Sequence, residues 1–169
     1  MANLEIEIAS LLREYQAKTG RLLTISTAES ATGGRISDRL TNIPGSSDYF
    51  KGSLIAYNNE VKISALGIKK ETVENYGAVS PQTAIEMAEG GRKLLGTDIC
   101  ISDTGIAGPS GATAEKPVGL FYIGLATEGK SFSKEHIFSG NREENKRAAA
   151  EATLSLLKQY LQEQISLAK

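Results

Sequence analysis

"LLTISTAESATGGRISDRL", residues 22–40, decides how the rest of the chain is read. It opens with an apolar run that predicts a buried strand over 22–27 and closes with Ile36 to Leu40 at helical spacing. A strand that feeds a helix through a short polar loop is the first half of a βαβ unit. A plain turn of this kind needs one capping residue and one glycine. This junction has Glu29, Ser30, Thr32, Gly33 and Gly34. Two glycines inside a helix would each cost roughly 1 kcal/mol against alanine. They suit a place where a ligand approaches the backbone or where N–H groups face an anion, and equally a place where helix and sheet pack closely.

Working outward, the same alternation recurs. Leu4, Ile8, Leu11, Leu12 and Tyr15 recur at helical spacing, and Gly20 closes that helix. "GSLIAY" (52–57) predicts a second strand, followed by short helices in "NNEVKISALG" (58–67) and "KETVENYG" (70–77). Ser80 caps a helix with Pro81 at its first position, running to about Leu95. Ile99 to Thr104 predicts a third strand. "LFYIGLAT" and "KSFSKEHIFSG" flank Glu128-Gly129 as a hairpin, and Asn141 with Glu144 starts the last helix as a capping box. The pattern predicts an α/β fold, a three-layer α/β/α sandwich with a mixed, mainly parallel sheet of about five strands and one antiparallel member. Residues 1–169 are expected to form a single domain.

Composition narrows the function classes. Net charge is −1 with no Lys/Arg run, which argues against a nucleic-acid or membrane-surface partner. The start, "MANLEIEIASLLREY", does not read as a signal peptide, and no apolar run reaches membrane-spanning length. One cysteine, Cys100, forms no intrachain disulfide, and a cytoplasmic location is expected. The one histidine, His136, alternates with Phe132 and Phe138 in a strand-like run, away from the glycine-rich loops. A Ser-His-Asp triad or a His/Cys metal centre is therefore not expected, and no metal or cofactor is called for.

Three polar loops follow three predicted strands: "AESATGG", "YNNEVK" and "TGIAGPSG". In open α/β sheets, ligands bind outside the carboxyl ends of the strands, so these stretches share one rim. Ser30 fits two readings, an N-cap or a nucleophile. A nucleophilic serine needs a base, and Lys62 of the second loop can serve if burial lowers its pKa. Tyr57 could orient that lysine or donate to an oxyanion. Glu29, Thr32, Gly33 and Gly34 of the first loop are candidate substrate contacts. So are Thr104, Gly105 and Gly108 of the third, where backbone N–H groups can form a concavity for phosphate or carboxylate. Arg142, in the first turn of the last helix, is disfavoured by the helix dipole unless Glu143 and Glu144, or a phosphate, offset it. Ser46 and Ser47, at another helix start, are further phosphate donors by the same logic. Spacing and composition give only this candidate rim.

"TAESATGG", "GSSDYFKGSLIAYNNEVK", "GAVSPQTAIEMA", "TGIAGPSG", "EKPVGLFYIGLAT" and "FSGNREENKR" occur in this order. Together they resemble the CinA C-terminal domain family, from about Leu4 to Leu161. The resemblance implies hydrolysis of the carboxamide of nicotinamide mononucleotide to nicotinate mononucleotide and ammonia, a step of pyridine nucleotide salvage; a nucleotide-binding module without hydrolysis and an amidase on a different amide are the alternatives. It implies a nucleophile at Ser30, a catalytic lysine at Lys62, no metal, and a three-layer sandwich with a mixed five-stranded sheet. The N-terminal domain fused to this one in full-length CinA proteins is not expected here. The sequence departs from the family pattern at Ala31, where cysteine is usual, at Asn58, where serine is common, and at Lys146, where arginine is common. The first and last helices are candidate faces of a homodimer.

Overall fold

The computed structural model describes residues 3–169. The strands are β1 (Ile25–Glu29), β2 (Phe50–Ile55), β3 (Ile99–Gly105), β4 (Leu120–Thr127) and β5 (Lys130–Ile137). The helices are α1 (Leu4–Thr19), α2 (Arg35–Thr41), α3 (Asn59–Leu66), α4 (Lys70–Tyr76), α5 (Pro81–Leu95) and α6 (Arg142–Leu167). A 3₁₀ turn spans Ser46–Asp48.

The five strands form one sheet in the order β2-β1-β3-β4-β5. β1 runs parallel to β2 and β3, and β4 runs antiparallel to both its neighbours, β3 and β5. The expected α/β class, mixed sheet and single antiparallel member are all present. Successive side chains on a strand face opposite ways, and the core splits accordingly. Ile25, Ile99, Ile101 and Ile123 pack with helices α1, α2 and α6 through residues such as Ile8, Ile36 and Leu157. Ala28 and Cys100 point the other way, onto Leu66 of α3 and Met87 of α5. Burial pushes the Cys100 thiol up to about 12, an inert state.

Helix starts follow the sequence signals. The Ser80 side chain accepts from Thr83 N (3.2 Å), and Asn141 and Glu144 complete the capping box. Asn58 accepts from Val61 N at 2.9 Å, so it caps the helix that carries Lys62 as a serine would. No described helix is long and apolar enough to cross a membrane.

Two strands differ in their bounds: β2 covers Phe50–Ile55 where 52–57 is expected, and the first strand differs for a physical reason. The apolar run predicts a strand over 22–27, but β1 covers Ile25–Glu29. Ser26, Thr27 and Glu29 are fully buried because polar partners meet them there: Thr97 for Ser26, and Ser53 for Thr27. A hydrogen-bonded polar side chain can occupy a core position that hydrophobicity alone would assign elsewhere.

β2 and β3 lie on opposite sides of β1, so the connection leaving β1 turns one way and β3 arrives from the other. That reversal opens a crevice at the carboxyl ends of β1 and β3. The loop of Ser30 fills it.

Candidate active site

Lys62, on α3, projects into this crevice. Its Nζ lies 2.9 Å from Ser30 Oγ, 2.9 Å from the Ala56 carbonyl and 3.1 Å from the Tyr57 carbonyl. Lys62 is only 2 % exposed and Ser30 6 %. The two carbonyls can only accept. A neutral amine can give them its two N–H bonds and turn its lone pair to the Ser30 hydroxyl; an ammonium can donate to all three oxygens. Burial drives the lysine below its ordinary pKa, and the charge of Asp103 opposes that shift.

The first loop is held by two buried carboxyl groups. Glu29 accepts from Gly34 N (2.8 Å), Ile36 N (3.2 Å) and Ser37 N (2.8 Å). It also takes hydroxyl contacts from Thr27 (3.1 Å) and Thr32 (2.9 Å). The start of α2 thus faces an anion, as its glycines suggest, but the anion is the chain's own. Gly33 and Gly34, at φ +61° and +99°, let the chain fold back over it. Asp103 accepts from Ser30 N (3.0 Å) and Thr32 N (3.1 Å), and touches Thr32 Oγ1 at 2.5 Å. Burial, with Glu29 nearby, pushes the Asp103 carboxyl up to about 6 against the hydrogen bonds it accepts.

Several expected site residues take other places. Glu29 and Thr32 have no exposed surface, so their side chains brace the loop instead of meeting a ligand. The Thr104 hydroxyl is buried and donates to Ala78 O at 2.6 Å. Gly105 underlies the Phe121 ring, where a Cβ would come within 2.2 Å of Phe121 Cδ1. Tyr57 reaches the lysine through its main-chain carbonyl; its side chain is 60 % exposed, and the phenol accepts from Arg142 at 2.9 Å. Arg142 also donates to Gly108 O at 2.8 Å, so it straps the second loop to the third. Glu143 turns away to Arg35. Ser46 and Ser47 lie at the opposite end of the sheet. Their turn precedes β2, and the adjoining Tyr49 carbonyl accepts from Ile25 N at the start of β1. Within one chain they cannot share the rim of Ser30.

Two residues escape the sequence reading. Asn145 is fully buried: it accepts from Gly140 N (2.9 Å) and donates to Ala107 O (3.0 Å), latching α6 to the third loop. Asp103 is hidden inside "ISDTG". Its signal is parity: period-2 alternation sets it on the same buried face as Ile99 and Ile101. Of the three departures, Ala31 packs among Ala107, Phe121 and Ala149, where a small side chain suffices. Lys146 brings its Nζ beside Gly33, within 3.6 Å of where a Cβ there would stand.

The same arrangement of elements recurs in solved structures. The competence/damage inducible protein CihA from Agrobacterium tumefaciens superposes with a TM-score of 0.84 at 34 % identity, covering 93 % of this chain and 94 % of that one. A CinA superfamily protein from Enterobacter cloacae gives 0.85 at 30 % identity, covering 94 % and 90 %. Among curated sequences, a CinA-like protein from Dictyoglomus thermophilum is 60 % identical over 120 residues, 71 % of this chain and 29 % of its own length. One from Chloroherpeton thalassium is 51 % identical over 162 residues, 94 % of this chain and 37 % of its own. The chain therefore spans about a third of the length of these curated relatives. The model of the CinA C-terminal domain matches residues 5–161. The chain belongs to the CinA C-terminal domain family.

Proposed function

We propose that this protein hydrolyses the carboxamide of nicotinamide mononucleotide, with Ser30 as nucleophile and Lys62 as general base. The observation that carries this reading is the 2.9 Å contact between Lys62 Nζ and Ser30 Oγ in a site that removes both groups from water. Neutral Lys62 takes the hydroxyl proton as the Ser30 oxygen bonds to the amide carbon. The resulting lysine ammonium returns that proton to the departing nitrogen, and ammonia leaves an acyl-serine ester. Water, deprotonated by the same amine, then cleaves the ester to the carboxylate and frees Ser30.

The oxyanion contact narrows to one loop donor. Ser30 N and Thr32 N are committed to Asp103, Gly33 N to Ser30 O, and Gly34 N to Glu29. Among the described residues the Ala31 N–H has no partner, and it follows the nucleophile directly, the position from which it can meet a developing alkoxide. Arg142 and Lys146 supply positive charge at the rim for the 5′-phosphate, together with backbone N–H groups of the third loop. Nicotinamide mononucleotide as the substrate is supported by the family resemblance, and the Ser–Lys chemistry by the contact itself.

The test is ammonia release from nicotinamide mononucleotide by purified protein without added metal. Ser30→Ala and Lys62→Met should each lower turnover by at least about 10³-fold. Wild-type turnover in both variants overturns the assignment. Thermal stabilisation by the nucleotide with no ammonia from the wild type marks a binding module in its place.

A further inference from the structure

The hydroxyl of Thr32 lies between two buried carboxyl groups, 2.9 Å from Glu29 Oε2 and 2.5 Å from Asp103 Oδ1. A hydroxyl has one proton to give. If both carboxyls were ionised, one of these contacts would set lone pair against lone pair in a site closed to solvent. The triangle closes when one carboxyl brings a proton of its own, donates it to Thr32 Oγ1, and leaves the threonine to donate to the other.

The backbone decides which one. Glu29 faces three N–H donors at the start of α2, so its negative charge is well met. Asp103 faces two, and neither carboxyl has exposed surface or an ion pair among the described residues, so the backbone donors are what separates them. The charged groups around it are Glu29, on β1, and the Lys62 amine, on α3.

We propose that Asp103 is a positioning residue that carries this proton: through Thr32 it locks the loop that presents Ser30, and its neutral form withholds the negative charge that would otherwise keep Lys62 protonated. The negative charge of the buried cluster then sits at Glu29, where three backbone N–H groups meet it. A single further proton resides either on Asp103, leaving Lys62 an amine, or on Lys62, leaving Asp103 a carboxylate. The first arrangement is the one in which Lys62 can take a proton from Ser30. The raised Asp103 and lowered Lys62 affinities agree with a neutral pair favoured by burial.

The role of Asp103 in turnover rests on the Ser30–Lys62 reading, but its protonation does not, and the test separates them. Carboxyl-labelled aspartate and side-chain-labelled lysine, followed by NMR in the wild-type protein from pH 4 to 9, report both groups whether or not any amide is cleaved. Asp103 should begin to lose its proton near pH 6 yet keep a share of it at neutral pH, exchanging it with Lys62, so that the two signals titrate together. In Asp103→Asn the Lys62 midpoint should move down by on the order of one pH unit. The acid limb of kcat/KM should move with it, whereas a purely structural defect would lower activity evenly across pH. An Asp103 signal fully ionised at neutral pH, or a folded Asp103→Asn with the Lys62 midpoint unmoved, overturns the proposal. Expected titrations with no amide turnover uphold it and remove only the proposed reaction.

Discussion

Two aspartates bracket β3, and each fastens an end of β1. Asp98, just before the strand, accepts from Thr24 N (2.8 Å) and Thr24 Oγ1 (3.0 Å) and pairs with Arg21. Asp103, near its end, accepts from Ser30 N (3.0 Å) and Thr32 N (3.1 Å). The clasps are alike in reach, one carboxyl joining strand-end backbone N–H and a threonine hydroxyl, but Asp98 accepts from its threonine whereas Asp103, in the proposed state, donates to Thr32. The surroundings differ. The Asp98 side chain is 22 % exposed and has an arginine to balance it; Asp103 is sealed and has none among the described residues. A clasp that has only to hold can be balanced at the surface. A clasp beside a lysine that must lose its charge cannot bring an arginine with it, because that cation would settle the Asp103 carboxylate in its charged form.

The sharpest way to break this comparison is to remove each charge and follow stability with pH. The folded-state pKa of Asp103 lies near 6, above the ordinary aspartate value of 3.8. Below about pH 4 both folded and unfolded chains hold the proton, and burial costs nothing. Between about 4 and 6 the folded chain keeps a proton that the unfolded chain releases, so stability falls as pH rises; above that the full penalty applies. The difference between Asp103→Asn and wild type should therefore move by on the order of 3 kcal/mol in the variant's favour from pH 4 to 7, measured by urea unfolding. A difference that stays flat across that range would make the two clasps equivalent.

Glu29→Gln tests the neighbouring anion. The amide keeps one acceptor oxygen, but its NH₂ must face a backbone N–H, so a loss of about 2 kcal/mol is expected at neutral pH. A thermal unfolding curve like that of wild type would mean the start of α2 needs no internal charge. Asp98→Asn should do least, about 1 kcal/mol, because the Arg21 partner of its ion pair is mostly in water. A larger loss there would show that the exposed clasp matters as much as the buried one.

The comparison also marks what can be read from the chain. The Ser30 and Lys62 candidates follow from local patterns, a polar loop after each of two strands, and the sheet's parallel core brings those loops together. Glu29 and Asp103 cannot be placed in that way. A carboxylate in "STAES" or "ISDTG" looks like any polar residue near a strand end, and its burial depends on N–H groups that only the folded loop turns toward it. Ser46 and Ser47 fail for a related reason. Their glycine-led turn resembles the start of a helix at the rim, but it enters β2 rather than leaving it, and strand direction sets the two ends of the sheet apart. Tyr57 is legible by position but not by group: its main-chain carbonyl meets the lysine in place of the phenol.

The first turn of α6 carries the Arg142 strap to Tyr57 and Gly108 and, one step further in, the Asn145 latch to Ala107. Beyond it the helix packs along α1 through buried leucines. Fraying of that opening turn alone would thus slacken two walls of the crevice together while the distant bulk of the helix stayed seated, so the doorway to Ser30 has a single hinge pin, and it is made of a few residues that never touch the serine.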